Sequence, residues 1–217
     1  MEWRLARPKE FEKMAKEEQL CIVPLACLER HGEHMPFGTD GIIAEKIAVE
    51  AAKREPCMVF PTIYFGGEIH EATCFSGAVA FSNELCFRMW DSICSEIARN
   101  GFKKILIVNG HGCFTEKGWL YALRPDLVRL DLMNKKNGTS THRFDEFAKN
   151  GIYTPFAWMA NYPDSLTADY HEGMNERIAK VMLDRLVEQL ASAFKFLKEE
   201  TISEAYYEEW AAKNPLI

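Results

Sequence analysis

Three short apolar runs in this chain each empty into a polar, glycine-rich turn, and that recurrence constrains the fold more than any other feature. Leu20 to Ala26 leads into Glu29-Arg30-His31-Gly32-Glu33-His34-Met35-Pro36-Phe37-Gly38-Thr39-Asp40. Cys57 to Ile63 leads into Gly66-Gly67-Glu68-Ile69-His70, and Ile105 to Val108 into Asn109-Gly110-His111-Gly112. A weaker run covers Leu127 to Leu132. Helical periodicity fills the intervals. Ile42, Ala44, Ile47, Ala48 and Ala51 mark one helix after Asp40. Cys86, Met89, Trp90, Ile93 and Ile97 mark a second, with Ser82 as its N-cap and Asn100-Gly101 as its end. A third follows Gly173, with Ile178, Val181, Met182, Leu186, Leu190 and Phe194 on one face. Strands alternating with helices of this length predict a parallel sheet covered on both faces. Ligands bind beyond the carboxyl ends of the strands in such sheets, so the three polar turns are predicted to gather at one edge.

The chemistry of the first turn is specific. Glu29 and His31 are two apart, which points both side chains the same way on extended backbone. Gly32, Pro36 and Gly38 let the chain fold back and bring Asp40 towards them. Carboxylate, imidazole and carboxylate converging after a strand form a ligand set for a hard or borderline divalent metal. The plain alternative is a capped loop with solvated charges; the Gly38-Thr39-Asp40 ending and the position after an apolar strand favour the metal. His111 in its own turn is a further ligand candidate. His171 and Glu176 sit at or just inside the start of the last long helix, where an acidic side chain is also favoured by the helix dipole alone. His70 and Trp158 are candidates for the substrate side, each equally readable as a structural residue, and His142 reads as surface. Cys113 is either a nucleophile of the cysteine–histidine type or a buried thiol. No basic partner that would generate a thiolate can be read nearby, which favours the second.

A length of 217 residues with 47% hydrophobic content supports one sizeable core, and a single domain over residues 1–217 is the expectation. No apolar run is long enough to span a bilayer, and Met1 to Arg7 lacks the apolar centre of a secretion signal. Seven cysteines, without a Cys-x-x-Cys pair, read as reduced thiols of a cytoplasmic protein. The formal net charge of -6 and the lack of a basic stripe exclude a general nucleic-acid binder, and no membrane partner is expected. Asn137 to Tyr170 is rich in Gly, Pro, Asn and aromatics, which predicts a long irregular loop bordering the site.

Taken together, Glu29-x-His31-Gly-x-His34-x-Pro-x-Gly-Thr-Asp40, Phe75-Ser76-Gly77-Ala78 before Ser82, Asn109-Gly110-His111-Gly112 and His171-x-Gly173-x-x-Glu176 resemble the creatininase family of metal-dependent amidohydrolases. The resemblance runs through most of the chain. It implies an α/β fold, a three-layer α/β/α sandwich with a mostly parallel central sheet, carrying two divalent metal ions (zinc, manganese or iron) at its carboxyl edge. Glu29, Asp40 and His111 would hold one ion, and His31, Asp40 and Glu176 the other, with Asp40 shared. A bridging hydroxide would attack a small cyclic or linear amide. His171 would lie close to the substrate and protonate the departing nitrogen. The family is oligomeric, often hexameric, so a homo-oligomer is expected. Three departures point away from creatinine as substrate. Cys113 stands where creatininase itself carries a glutamate, Gly112-Cys113-Phe114 replaces a Gly-Gly-Asn of other relatives, and Glu176-Arg177-Ile178 replaces Glu-Thr-Ser. A formamide deformylase or peptide-trimming hydrolase on the same centre, or a catalytically silent assembly subunit, are the alternatives.

Overall fold

The computed structural model describes residues 1–66, 76–112, 116–133, 139–163 and 175–213. Its centre is β1 (Leu20–Leu25), whose first four residues have no solvent exposure. β2 (Met58–Val59) pairs with one edge of β1 and β3 (Lys104–Asn109) with the other, both parallel, in the order β2-β1-β3. The β1–β3 register runs from Leu20 opposite Lys104 to Leu25 opposite Asn109.

Side-chain alternation along β1 divides the core into two layers. Leu20 and Ile22 pack with residues of α2 (Thr39–Arg54), α4 (Glu116–Leu123) and α7 (Glu176–Glu199). Cys21 and Val23 pack on the other side with α1 (Pro8–Glu17) and α3 (Asn83–Arg99). There Trp3, Phe11 and Phe102 meet at centroid separations of 4.6 to 5.7 Å. The three-layer, parallel α/β arrangement is the one expected. α5 (Asp145–Lys149), α6 (Pro155–Asn161) and α8 (Ile202–Lys213) complete the described helices. None of the described helices is long and apolar enough to cross a membrane.

The caps follow the sequence. Ser82 Oγ accepts from Leu85 N at 3.3 Å to start α3, and Asn175 Oδ1 accepts from Ile178 N at 3.1 Å to start α7. Four expectations need correction. Leu127 to Leu132 forms no strand: it is two 3₁₀ turns, Pro125–Leu127 and Leu130–Leu132. Pro125 opens the first, and Arg129 N donates to His34 O at 2.8 Å rather than to a sheet neighbour. The run from Cys57 to Ile63 pairs regularly only at Met58–Val59, because Pro61 has no N–H for the ladder; contact resumes where Ile63 bridges Leu25. The face that α7 buries is Ala179, Val187, Ala191 and Phe194, which leaves Ile178 and Val181 exposed. Finally, α5 and α6 occupy part of the stretch expected to be irregular.

Lys104, the first residue of β3, ties the end of α7 to the sheet. Its Nζ donates to Leu197 O at 2.6 Å and to Glu200 O, and pairs with Glu200 Oε1 at 2.9 Å. A cation at the carboxyl end of a helix complements the exposed carbonyls there. The hydrogen bond from Lys104, followed by those from Ser203, lowers the Glu200 pKa from 4.5 to about 2. Because the folded-state value is depressed, the ionised pair stabilises the protein above the unfolded value, and the gain is lost as pH falls towards about 2. Urea midpoints of the wild type and Glu200→Gln are therefore expected to differ most above pH ~5 and to converge on acidification. A difference that does not change over that range would contradict the assignment.

Candidate metal centre

Past Leu25 the chain leaves the sheet, and Leu28 bridges Val79, whose N–H donates to Leu28 O at 2.9 Å. Glu29 N then donates to Phe37 O at 3.3 Å, closing the loop that holds His31. Thr39 N and Oγ1 both donate to Pro36 O, at 3.1 and 2.6 Å, and α2 begins with Asp40 in its first turn. Asp40 has no solvent exposure, and His31 only 2%. A carboxylate so deeply buried is costly unless positive charge or hydrogen-bond donors surround it.

His111 arrives from the other side. Gly110 N donates to Leu25 O at 2.9 Å, and a Cβ on Gly110 would stand 2.4 Å from Asp40 O and 2.9 Å from the Ala44 Cβ. Only glycine lets the end of β3 run this close to α2. His111 N then donates to Asn109 Oδ1 at 3.1 Å, a local turn that presents the ring to the carboxylates.

Asp40 divides its two oxygens between two imidazoles. Oδ1 lies 2.8 Å from His31 Nε2, and Oδ2 lies 3.1 Å from His111 Nδ1. Glu29 Oε1 joins both rings, 3.4 Å from His31 Nε2 and 2.9 Å from His111 Nδ1. His31 Nδ1 lies 3.2 Å from Glu29 O, a carbonyl to which it donates. In the neutral ring that tautomer turns the Nε2 lone pair towards Asp40. Among the described residues, the buried Asp40 Oδ1 receives no hydrogen bond of regular geometry. Oxygen and nitrogen lone pairs at 2.8 Å repel unless a proton or a metal ion lies between them, and the donor set fits a divalent ion of the zinc, manganese or iron kind.

The electrostatics agree. Burial pushes the Asp40 carboxyl up, but the hydrogen bonds from His111 and His31 outweigh it and hold the pKa below the ordinary value of 3.8. The hydrogen bond to Asp40, followed by those to Cys27 and Glu29, raises the pKa of His111 against the effect of burial. Two carboxylates thus stabilise positive charge between them.

Of the predicted site residues, the structure brings together Glu29, His31, Asp40 and His111. Ligand atoms of the first three lie within 4.8 Å of one another. Glu176 is not in that group. It opens α7 with its side chain 63% exposed and accepts from Lys180 Nζ at 2.6 Å, an ordinary i,i+4 helix pair. That hydrogen bond lowers the Glu176 pKa. His70, His171 and Cys113 lie outside the described residues, as does the side chain of Trp158 in α6. Two neighbours were given no role by the motifs: His34, 1% exposed in the same loop, and Cys27, 1% exposed just before it.

This is an α/β protein with a buried carboxylate–imidazole centre at the carboxyl edge of its parallel sheet. The creatininase (creatinine amidohydrolase) family model matches residues 5–117, and the chain belongs to that family. The 3-dehydro-scyllo-inosose hydrolase of Thermotoga maritima is 27% identical over 104 residues, 48% of this chain and 33% of that protein. Creatinine amidohydrolase of Pseudomonas putida is 25% identical over 108 residues, 48% of this chain and 42% of that protein. The aligned stretch spans less than half the length of either curated relative. A solved structure described as a creatinine amidohydrolase from Bacteroides fragilis matches with a TM-score of 0.81 at 18% identity, over 93% of this chain and 98% of that one. Creatininase has also been solved in a manganese form and, as a glutamate-to-glutamine variant, in a zinc–zinc form. Both match with TM-scores of 0.76, at 17% and 18% identity, over 92% of this chain and 99% and 98% of theirs. Likeness at this identity shows the shared fold.

The close approach at Gly110 generates a prediction. Gly110→Ala is expected to destabilise the protein by about 1–3 kcal/mol, because the backbone of Asp40 cannot yield without shifting α2. Urea unfolding checks it, and an unchanged midpoint would contradict the packing described.

Proposed function

We propose that the protein is a metal-dependent amidohydrolase acting on a small cyclic or linear amide. The observation that carries this is Asp40: a fully buried carboxylate with one imidazole on each oxygen and Glu29 joining the two rings. Glu29, Asp40 and His111 would hold one divalent ion, and His31 with Asp40 a second. Bound there, such ions lower the pKa of water towards ~7 and polarise the amide carbonyl.

The chain's own groups do the remaining work. The Glu29 carbonyl fixes His31 in the tautomer that offers Nε2, and the Asn109 side chain sets the approach of His111. The protein walls that leave Asp40 without exposure exclude bulk water, so opposite charges attract more strongly there. Departure of an amine needs a proton, and His171 is the residue proposed to supply it. Glu176, a ligand by resemblance, would have to leave Lys180 to join the second ion. His70 and Trp158 remain proposed contacts of the substrate. The family membership, the zinc and manganese forms of creatininase and the hydrolase relatives support the reading.

Elemental analysis of protein purified without chelator tests it, together with a screen of small amides. About two equivalents of transition metal are expected for the wild type, and Asp40→Ala is expected to lose both metal and turnover. A wild type that neither carries nor binds zinc or manganese would overturn the reading. His171→Ala is expected to keep its metal and lose turnover by about 10²–10⁴-fold; full turnover in that variant would remove His171 from the mechanism.

A further inference from the structure

We infer that Cys27 is the positioning residue that holds the His111 ring in the metal centre. The last registered pair of β1 and β3 is Leu25 opposite Asn109. Two residues beyond that pair stand Cys27 and His111, just past the ends of strands that run about 4.8 Å apart. Their parity is also the same, since Cys21 and Val23 of β1 share a face with Ile105 of β3. Cys27 is 1% exposed, so its thiol has no alternative in solvent. On its far side the chain is closed by Gly66, whose N–H donates to Ala26 O at 2.9 Å. A Cβ on Gly66 would lie only 3.0 Å from Cys27 Sγ. Sγ is thus held against the Gly66 backbone, and the Cys27 thiol is among the groups that act on the His111 ring.

The arrangement matters because His111 Nδ1 is already committed to Glu29 and Asp40. A ring that contacts two carboxylates through one nitrogen is free to pivot about that nitrogen unless something else fixes its plane. Sulfur is a weak acceptor, but a buried one held in place suffices to set the orientation. Partners of this kind typically alter metal affinity about 10–100-fold when removed.

The inference rests on the metal-centre reading, and the test separates the two. Metal-stripped wild type, Cys27→Ala, Cys27→Val and Cys27→Ser are titrated with cobalt(II), and the thermal unfolding of each metal-free protein is recorded. Alanine and valine remove the acceptor, one leaving space and the other filling it, while serine keeps an acceptor. Both acceptor-free variants are expected to bind cobalt about 10–100-fold more weakly than the wild type. Cys27→Ser is expected to recover most of that loss. A purely structural thiol would instead lower the unfolding temperature of the metal-free protein and leave cobalt affinity in the folded variants unchanged, which would overturn the inference. A sulfur-to-cobalt charge-transfer band in the wild type, lost in Cys27→Ala, would also overturn it by making Cys27 a ligand in its own right. A wild type that takes up no cobalt would sink the metal centre itself; wild type and both acceptor-free variants binding equally would sink only the role of Cys27.

Discussion

The arrangement depends on one buried charge. Asp40 sits in the first turn of α2 with no solvent exposure, and a lone carboxylate there would have been neutralised or expelled. It is kept ionised because His31 and His111 approach its two oxygens from opposite sides. The dipole of α2 adds a smaller favourable contribution at its N-terminus. Everything that positions those two rings is therefore part of the same electrostatic balance: the loop closed by Glu29 and Phe37, the Asn109 turn, and the bare backbone of Gly110.

The parallel sheet makes that balance reachable. β1 and β3 end side by side, so residues more than seventy apart in sequence leave the sheet as neighbours. Their apolar halves lie in two different layers of core, and their polar extensions share one edge. A strand-end site of this kind separates the demands of stability and chemistry. The fully buried residues Leu20 to Val23 hold the frame, while the loop residues a few positions later carry the candidate ligands.

Much of this was legible in the chain itself, and the residues show why. Glu29, His31 and Asp40 were readable because a period of two and three turn-forming residues leave few ways to arrange them. His111 was readable from its place after an apolar strand. Glu176 stands apart: the motif puts it among the ligands, and in the structure its side chain pairs locally with Lys180. That spacing was visible, but a local pair and a distant ligand role cannot be ranked without the fold. The run from Leu127 to Leu132 read as a strand on apolar content alone; Pro125 and a backbone hydrogen bond to the site loop turned it into 3₁₀ helix. Cys27 carried no local signal at all. Its relation to His111 exists only in the register between β1 and β3, which no pattern within either segment encodes.

Whether Asp40 is the shared ligand of a metal centre is read out by anomalous diffraction from crystals of the zinc- or manganese-loaded protein. One anomalous peak is expected to be bonded to Asp40 Oδ1 and His31 Nε2, and another to Asp40 Oδ2, Glu29 and His111 Nδ1, at about 2.0–2.2 Å from each ligand. Metal-loaded crystals whose anomalous peaks all lie away from Asp40 would contradict it.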